Sequence, residues 1–270
     1  SRPRSPFSRA DGAGRIRTVL ILLPPSETTR DGGTDGTALD LSLLSFPELA
    51  RARRSVIAAL RKLGRNQTAM MTALHLGPTQ RFEVLRNRGL GTSSTLPALD
   101  RYTGVLFDAL DVGSLPEAAR TFAFEHVVIH SALFGLLGGA DPIPAYRLSH
   151  NARLPGAQLK RVWAEAVSAV LATRDELVLD LRSEAYVELG PAAGGSARGS
   201  QRYFLRVVSE GEDGARRALN HFNKKGKGEL VRAIVLAGID HGDVDSLLEW
   251  AADEGIRLSH GAERELELVV

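Results

Sequence analysis

The chain has no cysteine among its 270 residues. That excludes disulfides, thiolate metal sites, cysteine-ligated iron–sulfur clusters and cysteine nucleophiles, and it fits a reducing cytoplasm. Net charge is nearly lacking as well: 34 Lys and Arg against 32 Asp and Glu leave +2. So small a balance does not by itself argue for nucleic acid. No apolar stretch approaches the roughly 18 residues that a membrane span needs. Residues 1–17 are rich in Ser, Arg and Gly and have no apolar h-region. They read as a flexible leader rather than a signal peptide, with one domain over 18–270. There is no internal repeat and no heptad pattern. The P-loop, Gly-x-Ser-x-Gly, His-Glu-x-x-His and dinucleotide-binding patterns are all missing.

What is present is ordinary for a folded domain: 43% hydrophobic and 24% charged residues, enough for a real core. Short apolar runs rich in β-formers predict strands at Thr18–Leu23, His126–Ser131, Leu177–Leu181 and Tyr203–Val208, with a fifth at Arg216–Phe222. Arg257–Ser259 and Leu266–Val270 are expected to pair as closing strands. Helical spacing marks Pro47–Leu63, Gln67–Leu76, Thr79–Asn87, Gln158–Thr173, Lys227–Ala237 and Val244–Asp253, the last opened by Asp243 as N-cap. Leu96–Leu110 is mixed, and Pro191–Ser200 is a small-residue loop. Strands alternating with helices predict an α/β domain with a mixed sheet flanked by helices. Polar residues follow several apolar strands, and in open α/β sheets ligands sit outside the carboxyl ends of strands.

Several segments carry chemistry. Asn223-Lys224-Lys225-Gly226-Lys227-Gly228-Glu229 is expected to follow a strand and open a helix. Glycines, a helix N-terminus and lysines together suit a phosphate, although a solvated basic turn has the same composition. Asp180, at the end of an apolar strand, is costly to bury unless it meets a cation, such as Arg182 or a lysine of 224–227, or several N–H groups; an ion pair holding two loops has the same residues. Ser26-Glu27 sets a hydroxyl and a carboxylate after the first strand. Tyr102 beside Arg101, and Tyr146 beside Arg147, pair an aromatic face with a guanidinium; such pairs stack on bases or on each other. His126 and His130 fall on one strand face, but no carboxylate stands at ligand spacing, so neither a metal nor any other cofactor is expected. Leu76-Gly77-Pro78 is a weak helix-hairpin-helix signal. Arg51, Arg53, Arg54, Arg61, Lys62 and Arg65 form a basic helix face.

Taken in order, these segments resemble the YaaA family of peroxide-stress proteins. The resemblance rests on Leu22-Leu23-Pro24-Pro25-Ser26-Glu27, on Tyr102-Thr103-Gly104 with Phe107-Asp108-Ala109-Leu110, and on Ser131-Ala132-Leu133-Phe134-Gly135 with Pro144–Leu148. Ser183 with Tyr186, and Lys224–Arg232, complete it. The resemblance implies the family's α/β fold, a positively charged cleft, DNA binding and a role in limiting oxidative damage. Carried over by position, the cleft would include Ser26, Glu27, Tyr102, Arg147, Ser183, Lys224, Lys227 and Arg232. The chain departs from the family's pattern at His150-Asn151, where Met-Gly is usual, at Gly138-Gly139, where Arg-Pro is usual, and at Thr28-Thr29, where Gly-Lys is frequent. Basic groups are therefore fewer, and a histidine with acid–base range has appeared. The pattern is that of a diverged member.

Two functions follow as expectations. One is nucleic-acid binding through the basic cleft in peroxide-stress protection. The alternative is an enzyme that makes or breaks an N-glycosidic bond of a nucleotide or nucleoside. In that case Asp180, Glu27 or His150 would move protons, Lys224 and Lys227 would hold phosphate, and Tyr102 or Tyr146 would stack on the base. The expected partner is accordingly DNA or a phosphorylated nucleotide-type molecule, in the cytoplasm and away from membranes.

Overall fold

A run such as Val-Leu-Ile-Leu-Leu, buried at every position, has no solvent face and must lie inside a sheet covered on both sides. The computed structural model describes residues 19–191, 201–210, 216–218 and 222–270. Its strands are β1 (Val19–Leu23), β2 (Leu96–Pro97), β3 (Val127–Ser131), β4 (Gly135–Gly138), β5 (Pro142–Ile143), β6 (Leu177–Asp180), β7 (Arg202–Glu210), β8 (Arg216–Ala218), β9 (Leu258–His260) and β10 (Glu265–Val269). Its α-helices are α1 (Ala50–Leu63), α2 (Gln67–Ala73), α3 (Phe82–Arg88), α4 (Ala98–Arg101), α5 (Val105–Leu110), α6 (Glu117–His126), α7 (Leu159–Ala172), α8 (Glu184–Val187), α9 (Phe222–Ala237) and α10 (Val244–Asp253).

One mixed sheet runs in the order β4-β3-β1-β6-β7-β10-β9, with β8 beside β7. β3, β1, β6, β7 and β10 are parallel. β4, β8 and β9 join them antiparallel. Helices flank the sheet: α5, α6 and α9 pack together, with α6 against β1 and α9 against β7, while α1 meets α7 and α7 meets β4. In chain order the parallel strands stand 2-1-3-4-5 across the sheet, so the order reverses between β1 and β6. That switch point is where two loops diverge and leave a crevice at the strands' carboxyl ends. None of the described helices is long and apolar enough to cross a membrane.

Three local expectations are corrected. α9 begins at Phe222, so Gly226 and Gly228 lie inside a helix and not in an anion-binding loop. Their role is close packing: a Cβ on Gly228 would stand 2.2 Å from the Leu106 carbonyl oxygen of α5, and one on Gly226 3.0 Å from Val270. His126 closes α6 and gives its Nδ1 to the Val19 carbonyl at 2.8 Å, so it shares no strand face with His130. At Gly77 the N–H, which a helix-hairpin-helix would offer to phosphate, is taken by the Gln80 side chain at 2.9 Å. The expected leader, most of the 191–200 loop and residues 219–221 of the expected fifth strand lie outside the described residues.

Candidate functional site

The crevice at the switch point is a cleft of about 800 Å³. The turn after β1 supplies Pro24, Ser26, Glu27 and Thr28; the turn after β6 supplies Arg182 and Ser183. β7 adds Phe204 and Arg206, the first turns of α9 add Asn223, Lys224 and Lys227, and His150 closes one end.

Beneath the cleft a buried ion pair ties β6 to its own turn. Arg182, fully buried, sends Nε to Asp180 Oδ1 at 2.9 Å and Nη2 to Oδ2 at 2.6 Å. Its Nη1 bonds the Gly190 carbonyl and meets His130 Nδ1, both at 2.9 Å. Burial, and then the Arg182 charge, hold His130 well below the ordinary imidazole range, so it is the neutral acceptor of that bond. Both Asp180 oxygens are thus engaged by Arg182, which is the cation that neutralises this carboxylate.

Lys227 stands on the cleft floor, 4% exposed. Its Nζ lies 5.6 Å over the Phe204 ring and 3.5 Å from the Arg182 carbonyl. Burial, offset only in part by Asp180, pushes the amine down to about 8. Lys224 sits exposed at the rim. Arg206 is committed elsewhere, to Glu265 at 2.7 and 2.8 Å and to Glu184 at 3.3 Å. Neither Lys224 nor Lys227 forms an ion pair with any described residue, so the two ammonium groups are the cleft's unneutralised cations.

Facing them is a hydroxyl cluster. Ser26 Oγ meets Thr28 Oγ1 at 3.1 Å and accepts the Thr28 N–H at 3.2 Å; Thr103 Oγ1 donates to Thr28 Oγ1 at 3.0 Å. Gly104, at φ 97°, must be Gly here: a Cβ would approach Ser26 Oγ at 3.1 Å in a backbone conformation that L residues avoid. Arg147 stands behind this loop, giving Nη1 to the Glu27 carbonyl at 3.0 Å and Nη2 to Glu27 Oε2 at 2.5 Å. Asn87 clamps the Arg147 backbone in turn, at 2.8 and 2.9 Å.

Of the residues singled out in the sequence, Ser26, Glu27, His150, Ser183, Lys224 and Lys227 line the cleft. Asp180 and Arg147 lie behind its wall as positioning groups. Tyr102 and Tyr146 are corrected: both are buried and cannot stack on a base. Their hydroxyls meet at 2.6 Å, and Tyr146 meets Ser131 Oγ at 2.6 Å, a chain anchored by the Leu133 and Phe134 N–H groups at 3.1 Å. Burial raises Tyr146 to about 12 and Tyr102 well above its ordinary value. Arg232 is also outside the cleft, bonding the Leu110 and Asp111 carbonyls and Ser114 Oγ at the end of α5. Phe204 and Arg206 were not anticipated: they lie within β7, not at its carboxyl end, and only the order of strands in the sheet brings them to the cleft.

A family model described as peroxide stress protein YaaA matches residues 19–259. That range takes in both sides of the cleft and every strand of the sheet except β10 and the last residue of β9. The chain belongs to the YaaA family. A UPF0246 protein of Corynebacterium glutamicum is 40% identical over 243 residues, covering 88% of this chain and 94% of its own length. One of Corynebacterium efficiens is 39% identical over 259 residues, covering 93% and 100%. One of Streptomyces coelicolor is 36% identical over 241 residues, covering 88% and 90%. Within the YaaA framework the departure at Gly139 has a packing reason here: a Cβ on it would meet Leu99 Cδ1 at 2.6 Å.

Proposed function

We propose that this YaaA-family protein binds a phosphorylated nucleotide-type molecule in the switch-point cleft. The observation that carries the reading is the pair Lys224 and Lys227, two cations without carboxylate partners among the described residues, on the first turns of α9 opposite the Ser26, Thr28 and Thr103 hydroxyls. An anion is the natural guest of such a pair, and a cleft of about 800 Å³ is in the size range of small-molecule sites. His150 and Glu27 at the walls supply groups able to exchange protons with a bound sugar or base.

A second reading, nucleic acid in peroxide-stress protection, draws on the family's description and on one further feature. Arg61, Arg65 and Arg88 line a shallow hollow of about 440 Å³ with no acidic residue in its lining. Backbone phosphates suit such a surface, with strong salt dependence.

Thermal-shift titrations of the full chain with nucleoside monophosphates and with duplex DNA, each at low and moderate salt, separate the two. Saturable stabilisation by a small nucleotide that survives moderate salt supports the cleft reading. Stabilisation by DNA alone, lost as salt rises, overturns it in favour of the second.

A further inference from the structure

Lys227 does more than add charge to the cleft. A lysine meant only to hold a phosphate works best at a wet rim, as Lys224 does, where the ammonium stays hydrated and protonated. Lys227 instead lies over the Phe204 ring at 5.6 Å, with one long contact of 3.5 Å to a backbone carbonyl. Asp180, the nearest acid by influence, is held in both oxygens by Arg182. Glu184 is bound to Arg206, and the Arg206 charge itself opposes a proton on Lys227. The glycines on either side, Gly226 and Gly228, let α9 press against β7 and α5 so that this side chain reaches the floor. An amine desolvated against an aromatic ring, beside another cation and with its nearby carboxylates held by arginines, is the environment of lysines that attack carbonyls.

We propose that Lys227 is an amine nucleophile that condenses with the open-chain aldehyde of a phosphorylated pentose whose phosphate meets Lys224. This rests on the reading of the cleft as a phosphate site. The neutral Nζ forms a bond to the aldehyde carbon, the carbonyl π pair moves to oxygen, and the amine proton passes to that oxygen. The carbinolamine then loses water, leaving a C=N bond between Lys227 and the sugar. No oxidant or reductant is consumed. The amine's position near 8 leaves a useful neutral fraction at mildly alkaline pH. Two sources present the same aldehyde: a free pentose 5-phosphate, and an abasic nucleotide in a DNA strand.

The test is borohydride trapping on the full chain, read by intact mass and peptide mapping. One arm uses ribose 5-phosphate, the other an oligonucleotide with a single abasic position. The expected result is a reduced, stable adduct on the peptide carrying Lys227, absent from Lys227→Arg and weakened in Lys224→Ala. Whichever arm traps identifies the source. Peptide mapping of the wild-type chain keeps the test valid even if a variant folds poorly. Adducts confined to exposed lysines such as Lys160 or Lys225, or none in either arm, overturn the proposal. If the chain is still stabilised by nucleoside monophosphates in that case, only the imine chemistry fails. If that stabilisation is absent too, the cleft reading fails with it.

Discussion

Arg182 and Asp180 grip each other two residues apart in sequence, by two side-chain bonds of 2.9 and 2.6 Å in a buried wall. The pair is the hinge between the sheet and the cleft: Asp180 ends β6, and the Arg182 carbonyl faces Lys227. Removing one partner of such a pair strands the other charge. Arg182→Met is expected to cost about 3–5 kcal/mol, and Asp180→Asn a substantial part of that. Urea unfolding of both variants checks it. Unchanged stability of Asp180→Asn together with lost nucleotide binding would return Asp180 to a direct role in the cleft.

Lys227 carries the opposite expectation. Its folded value near 8 lies below the ordinary 10.5, so the folded chain binds fewer protons than the unfolded chain between those values. Stability contributed at this position therefore rises with pH through that window, and the cost of the buried charge is complete below about pH 8. Lys227→Met is expected to stabilise the protein by up to about 3 kcal/mol at neutral pH, because each tenfold change in proton affinity is worth about 1.4 kcal/mol. The gain fades toward pH 10.5. Denaturant midpoints for both proteins across pH 7–10 measure it, and a gain that does not shrink with pH would mean that packing rather than charge is responsible.

Much of the architecture was legible because fully buried parallel strands need uninterrupted apolar runs, and Val19–Leu23 and Leu177–Leu179 have them. The start of α9 was not. Gly226 and Gly228 oppose helix by propensity, and only their close approach to Leu106 and Val270 explains why they stand inside one. The burial of Tyr102 and Tyr146 was equally hidden. A Tyr-Arg pair reads the same whether it faces a ligand or the core; what decides it is Ser131, distant in sequence from Tyr102 and held by its own turn. The cleft residues were found where a motif and a strand end coincided, and missed where only the three-dimensional order of strands brought them together.

The Tyr102–Tyr146–Ser131 chain makes its own claim. Tyr146 sits in the middle and touches both neighbours at 2.6 Å. Tyr146→Phe removes both bonds while keeping the ring, and is expected to cost about 2 kcal/mol, near 1 kcal/mol for each buried bond. Tyr102→Phe loses one bond and is expected to cost about half as much. Chemical denaturation of the two variants tests the ratio; equal losses would mean that the chain does not pass through Tyr146.

Glu27 separates stability from function. Its carboxylate is 58% exposed, although Arg147 meets it at 2.5 Å. Solvent screens the Glu27 side of the pair although Arg147 is buried, and glutamine keeps an acceptor for Arg147, so Glu27→Gln is expected to cost no more than about 1 kcal/mol and to leave the melting temperature nearly unchanged. Arg147→Ala also releases the Glu27 carbonyl and loosens the turn that carries Ser26. It is therefore expected to weaken nucleotide binding more than Glu27→Gln does. Paired melting curves and nucleotide titrations decide it, and equal affinity losses in the two variants would remove the positioning role from Arg147.

Gly228→Ala sets two forces against each other. In an exposed helix the change would stabilise by about 1 kcal/mol through backbone entropy alone. Here the new methyl would stand 2.2 Å from the Leu106 carbonyl oxygen and 2.8 Å from Ala109 Cβ. The first obstacle is backbone and cannot rotate away, so α9 must move off α5. Overpacking of this kind costs about 1–3 kcal/mol and outweighs the entropy gain. Because Lys224 and Lys227 ride on the same helix, the displacement also moves both cations relative to the Ser26–Thr28 hydroxyls. Gly228→Ala is thus expected to lose stability and nucleotide affinity together. Gly242→Ala, where nothing lies within 4 Å of the added carbon, is expected to change neither. A Gly228→Ala protein as stable as the parent, with unaltered affinity, would show that the α5–α9 contact does not set the position of the two lysines.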